Sequence, residues 1–173
     1  MSEPQFDFGP ALSIDAEAVG QPGQRRFRIL VRSSRQSASI WMEKEQLAAL
    51  GRALAEFIQR LDKERPKNDP DVEPLDFPSS FDIEMQVGQI GLGYVEDDDM
   101  FSIQTQGLLL AADNAEGAFR CLLSRGQSRF LSRKIEQVAA AGRPNCPLCG
   151  GPLDPGGHTC PRANGHRNTK ITI

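Results

Sequence analysis

Four prolines, Pro66, Pro70, Pro74 and Pro78, recur at intervals of four with Asp, Glu and Lys between them. Proline cannot continue a helix and has no N–H to give to a sheet ladder. The stretch 66–80 is therefore predicted to be an irregular connector. It divides the chain into two parts, and each must build its own local structure.

Each part alternates first and then turns helical. Leu12, Ile14, Ala16 and Ala18 fall on one parity, with Ser13, Asp15 and Glu17 between them. That is the period of a half-buried strand. Gly20–Gly23 reads as a turn. Phe27, Ile29 and Val31 then alternate with Arg26, Arg28 and Arg32, and Ala38, Ile40 and Met42 make a third short strand. Next, Leu47, Leu50, Leu54, Phe57, Ile58 and Leu61 form one stripe at helical spacing, with Glu45, Arg52, Glu56 and Arg60 opposite.

The second part repeats the order. Phe81, Ile83, Met85 and Val87 are odd-numbered, whereas Ile90, Leu92 and Tyr94 are even-numbered. One extra residue near Gly88-Gln89 would cause the slip, so a β-bulge is predicted there. Glu96–Asp99 reads as a hairpin tip, Met100 to about Ala111 as the return strand, and Ala118–Leu123 as a third strand. Ser124-Arg-Gly-Gln127 matches the S-x-x-Q capping box. Leu131, Ile135 and Val138, with Phe130 alongside, mark a helix that Gly142 and Pro144 should stop.

The expected class is α+β. Two βββα modules, 1–65 and 81–142, are joined by the connector 66–80 and followed by a C-terminal segment 143–173. A continuous antiparallel sheet with both helices on one face is the economical packing. An offset of 81 lays Gln46 on Gln127, Met42 on Leu123, Leu50 on Leu131, Leu54 on Ile135 and Phe57 on Val138. This pattern suggests an internal repeat.

Composition narrows the function. No run reaches the roughly 20 apolar residues of a membrane helix, and the start lacks the basic and apolar regions of a signal peptide. The expected location is cytoplasmic. There are two histidines, His158 and His166, both near the end, so a Ser–His or Cys–His centre in the body would need a base from the tail. Residues 117–173 carry nine Lys/Arg against two acids, and residues 1–116 carry eleven against twenty-one. The opposite charges suit attraction between the two parts, or an anionic partner for the second.

Three of the four cysteines lie within fifteen residues: Cys146-Pro-Leu-Cys149, then His158-Thr-Cys160. Cys-x2-Cys lets two thiolates meet one ion at about 2.3 Å. In an extended segment residues i and i+2 face one side, so His158 and Cys160 supply the other half. The eight residues between hold four glycines and two prolines, which make turns rather than a helix. The prediction is a small zinc-ribbon-like loop with Cys146, Cys149, His158 and Cys160 as ligands of a structural Zn2+. A redox Cys-x-x-Cys pair usually opens a helix, which Pro144 and Gly150-Gly-Pro152 oppose. His166 is the rival fourth ligand, but His158 needs no extra loop. Four ligands close the shell, and Asp154 is the only acid inside the loop, so a catalytic role is not expected.

Weaker signals have plainer readings. Glu96–Asp99 is expected to be a solvated tip rather than a cation site. Glycines 88, 91 and 93 make no phosphate loop. Trp41, opposite in parity to Ile40 and Met42, is expected to cover the second face of the sheet. Cys121 is expected to be an inert small hydrophobe. Arg125, Arg129, Arg133 and Lys134 fall on the expected polar side of the second helix.

Gly20–Arg25 (GQPGQR), Glu43–Gln46 (EKEQ), Ala141–Cys149 (AGRPNCPLC) and Gly157–Gly165 (GHTCPRANG) together resemble the DUF3090 family of bacterial, mostly actinobacterial, proteins. The resemblance covers nearly the whole chain, and the C-terminal motif is its most specific part. It implies no established activity, substrate or catalytic residue. The family pattern includes the cysteines and Gly-His-x-Cys but often no histidine at position 166, which favours His158.

Three functions follow as expectations. The first is a non-enzymatic binding or adaptor protein that presents the zinc-stabilised segment to a protein partner, with no membrane. The second is nucleic-acid binding through Arg125, Arg129, Arg133, Lys134, Arg143, Arg162 and Arg167, although the acidic first part would repel a polyanion. The third is an enzyme using acids such as Asp82 and Glu84 at the sheet surface.

Overall fold

In the computed structural model the described residues are 3–21, 23–70, 72–140, 146–151, 158–162 and the backbone of 170–171. Eleven elements follow in order: β1 (Phe6–Pro10), β2 (Ser13–Val19), β3 (Arg26–Arg32), β4 (Ser37–Met42), α1 (Lys44–Glu64), β5 (Ile83–Val95), β6 (Met100–Leu109), β7 (Glu116–Leu123), α2 (Arg125–Ala140), β8 (His158–Thr159) and β9 (Lys170–Ile171). Seven strands form one sheet in the order β1-β7-β6-β5-β4-β3-β2. The class is α+β, as the sequence predicts.

The sheet is mixed, and this corrects the expectation of an all-antiparallel one. β2, β3 and β4 form one antiparallel meander, and β5, β6 and β7 form another. They join through a parallel pairing of β4 with β5. The cause is the crossover: α1 and the connector carry the chain back along the sheet before β5 starts, so β5 must run as β4 does.

Strand β1 is an element of the main sheet that the sequence analysis missed. It pairs parallel to β7, with Phe6 opposite Phe119. Phe6 and Phe8 do alternate around Asp7, but Gly9 and Pro10 end the pattern after five residues. Phe8 packs edge-on against Phe119 with ring centroids 4.8 Å apart. Chain closure happens just after it. The N–H of Ala11 donates to Leu122 of β7 and the next N–H, of Leu12, donates to Arg32 of β3, both at 2.8 Å. Residues 6–19 thus bridge the two ends of the sheet. Leu12 sits at that corner and is half exposed, whereas its parity assigned it to the buried face. A change of hydrogen-bonding partner breaks strand parity.

One core lies between the helices and the inward face of the sheet. Ile14, Ala16, Ile29, Val31, Ile40, Met85, Phe101, Ile103, Phe119 and Leu123 meet Leu47, Leu50 and Leu54 of α1 and Leu131 and Ile135 of α2. Both predicted stripes face this core, with Phe57, Phe130 and Val138 partly buried at its margin. A Cβ on Gly51 would stand 2.6 Å from Ile135 Cγ2, so only glycine lets the helices come this close. There the Ser132 hydroxyl donates to the Gly51 carbonyl at 3.1 Å. The predicted capping box holds: Gln127 Oε1 accepts from the Ser124 N–H, and Ser124 Oγ accepts from the Gln127 N–H. Gln46 does the same for the N–H of Glu43 at the start of α1. The predicted bulge is the register break between Val87 and Gln89.

The connector is irregular, as its prolines require, but it is firmly tied. Arg125 donates to the carbonyl of Arg65, the Gly126 N–H to Asp69, the Leu75 N–H to Ser13 Oγ, and Arg32 to the carbonyl of Asp76. It straps the ends of both helices to the closing corner. Trp41 covers the outer face as predicted, with the guanidinium groups of Arg26 and Arg28 4.2 and 4.7 Å from its ring centre. Among the described residues no helix is long and apolar enough to cross a membrane.

Candidate metal centre

The chain around Cys146 turns tightly. The Cys146 N–H donates to the Gly151 carbonyl at 2.7 Å, and the Gly150 N–H donates back to the Cys146 carbonyl at 2.9 Å. Gly150 has φ +72°, a left-handed conformation open to glycine at no steric cost. The turn brings both sulfurs of Cys146-x-x-Cys149 to one side. The Gly151 N–H also donates to Cys149 Sγ at 3.4 Å. Across from the turn, His158 and Thr159 form β8, paired antiparallel with Lys170 and Ile171 of β9. The extended backbone points His158 and Cys160 the same way, as the i, i+2 rule expects.

The four side chains converge. One ligand atom from each of Cys146, Cys149, His158 and Cys160 lies within 4.8 Å of the others. Cys146 Sγ is 3.8 Å from Cys160 Sγ, and Cys149 Sγ is 3.9 Å from His158 Nε2. Two thiolates bound tetrahedrally at about 2.3 Å stand about 3.8 Å apart, so the spacing fits one ion. Cys146 and Cys160 are buried, and with Cys149 they form a cluster separate from the main core. Leu148 is half exposed. Little apolar surface holds this segment together, whereas the donor set could.

The electrostatics point the same way. Burial pushes the Cys146 thiol up. The backbone N–H groups of Cys149 and Leu148, with His158 and Cys149, outweigh it and bring the thiol down to about 6. At Cys149 the Gly151 N–H favours the thiolate, but burial and the sulfurs of Cys160 and Cys146 push the thiol up. Three crowded sulfurs resist ionising together unless a cation sits among them. A divalent ion removes that conflict.

The other candidates are placed elsewhere. Cys121 is fully buried, and burial, aided by the charge of Asp7, pushes its thiol up to about 12, so it is inert. Arg125, expected on the polar side of α2, is only 1% exposed. It bridges Asp62 at 3.2 Å and Asp99 at 2.8 Å. The helix starts against the connector and the β5–β6 tip, so its first turn is covered. Arg129 also pairs with Asp62 at 2.7 Å, and Lys134 lies 3.6 Å from Asp15. Glu96, Asp97 and Asp98 of the acidic tip are exposed, as expected, but Asp99 is used inside the fold. Asp99, at φ +50°, accepts from Tyr94 at 2.6 Å and from Lys67 at 2.9 Å. Burial favours its neutral form, but bonds from Tyr94, Arg125 and Lys67 hold its carboxyl well below the usual range. Asp82 is taken up by the N–H and hydroxyl of Ser37, and Glu84 is half buried on the outer face. Arg162 is exposed. Arg143, His166 and Arg167 lie outside the described residues, as do the stop signals Gly142 and Pro144. The tie between Arg125, Asp62 and Asp99 was not legible, because its partners are 63 and 26 residues apart in sequence.

The structure thus defines an α+β protein with a Cys3His cluster able to hold a metal ion. The family of proteins of unknown function DUF3090 matches residues 6–160, and the chain belongs to it. The match ends on Cys160, so it takes in all four converging residues and stops before His166. No curated protein matches the chain, and no solved structure does.

Proposed function

We propose that the protein is a non-enzymatic binding or adaptor protein whose C-terminal segment is shaped by one structural zinc ion. The convergence of Cys146, Cys149, His158 and Cys160 within 4.8 Å carries this reading. The donors are three soft thiolates and one imidazole, the set that suits zinc. Four protein ligands complete a tetrahedral shell and leave no position for a substrate, so zinc here serves structure. It supplies the cohesion that the segment's few apolar residues do not. The exposed Arg162 and Leu148 then belong to the surface offered to a protein partner.

The test is to cross-link full-length chain in its native cell extract, with wild type beside Cys149→Ser. The expected result is a defined set of protein cross-links to the C-terminal segment that the variant loses. Identical cross-links from both, or steady turnover of a small metabolite by the purified chain, would contradict the reading.

Nucleic-acid binding is the second reading, carried by the exposed Arg162 and the excess of positive charge after residue 116. Arg125, Arg129 and Lys134 support it poorly, because acids of the same chain already face them. A mobility shift at low salt that weakens steeply with added salt would favour it.

A further inference from the structure

A groove of about 620 Å3 lies on the outer face of β5, β6 and β7, opposite the helices. That volume is in the range of small-molecule sites, about 300–1,000 Å3. The bulge builds it. Before the break Gln86 points outward; the extra residue Gly88 then lets Gln89 point outward too, directly opposite Gln106 of β6. Gln5, just before β1, closes the near side, and Glu3 and Glu116 stand at the rim. Bulges re-aim side chains in this way beside functional sites.

The polar side chains of the groove are amides and carboxylates, set beside the apolar Leu108 and Ala118. Among the described residues no Lys, Arg or His lines the groove. The side-chain amides of Gln5, Gln86 and Gln89 make no hydrogen bond to other described residues. Each primary amide offers two donors and a doubly accepting oxygen. That is the complement of a hydroxyl group, which both gives and accepts. Vicinal hydroxyls match a row of such amides, and an anion would meet two carboxylates and no cation. We propose that this groove binds a neutral polyhydroxylated small molecule, of the size of a mono- or disaccharide, through Gln5, Gln86 and Gln89. The site is independent of the metal centre.

The test uses glucose and maltose as probes, titrated into the full chain while the side-chain amide signals are followed by NMR. The expected result is a saturable shift of the Gln5, Gln86 and Gln89 amides with at least one sugar. Gln89→Ala should weaken binding about tenfold or more, the loss of roughly 1.4 kcal/mol of hydrogen bonding. Gln104→Ala, on the same face but outside the groove, should leave it unchanged. Absence of any saturable shift with either sugar would overturn the proposal. So would shifts that survive Gln89→Ala, or a response to spermidine alone, which would assign the groove to its rim carboxylates.

Discussion

The body of the chain and its C-terminal segment are held together by different forces. Residues 6–140 share one core in which more than twenty apolar side chains are buried, among them Phe101 and Leu54 at 0% exposure. Among the described residues of the segment from Cys146, Cys146 and Cys160 are buried and Leu148 faces solvent. The body folds because apolar surface leaves water. The segment has backbone turns and four converging donors, which on the proposed reading an ion binds together. One chain thus pairs a conventional core with an appendage that carries a Cys3His cluster able to hold a metal ion.

The largest effect should come from removing the ion. Stripping with a strong chelator should abolish the structure of the segment, since zinc binding to such sites is worth about 10–16 kcal/mol. The body should keep its melting temperature, because the two clusters do not share residues. Near-UV circular dichroism of the Trp41 band against metal content checks this; simultaneous loss of both would merge the two regions. Binding should also weaken as pH falls from 7.5 toward 5.5, since protons compete with the ion for the thiolates.

Phe101→Ala should be the counterpart in the body. Its ring meets Phe57 and Tyr94, with centroids 5.3 Å away in each case. Emptying the site should cost about 3–5 kcal/mol in urea unfolding with zinc retained.

Arg125→Met should cost about 3 kcal/mol, the lower end for a broken buried pair, because Asp62 and Asp99 keep some contact with water. Asp99 adds a pH dependence. Its carboxyl is held below the unfolded value of about 3.9, so its stabilisation is complete above that pH and disappears as pH falls. Asp99→Asn should therefore be less stable at neutral pH and show a flatter acid limb than wild type. Parallel acid limbs would remove Asp99 from the account.

Ser124→Ala should cost about 1 kcal/mol through the lost cap, seen as a small shift in the urea midpoint. No change would mean that the Gln127–Ser124 N–H bond alone starts α2.

Much of the body was legible because its signals are local. Alternation marked six strands, the 3.6-residue stripes marked both helices, and the parity slip at Gly88-Gln89 marked the bulge. What escaped depends on distant parts of the chain. β1 is short, and its partner Phe119 is over a hundred residues away. Leu12 lost its parity because the strand changes neighbours there. Arg125 read as a solvated residue because nothing near it in sequence shows Asp62 and Asp99 closing over it. The four cysteine and histidine positions were legible because ligand spacing is itself local. Gly51 and Ser132, 81 residues apart, meet at the helix crossing. Gln46 and Gln127, at the same offset, both cap helices. A duplicated βββα unit would give that symmetry.

The central claim is that the segment is built on zinc. Its most direct test is the metal content, by plasma mass spectrometry, of protein purified without chelator, wild type beside Cys149→Ser. The account predicts about one zinc per wild-type chain and none retained by the variant. A wild-type chain free of metal, with thiols at 146, 149 and 160 that oxidise and reduce reversibly, would contradict it.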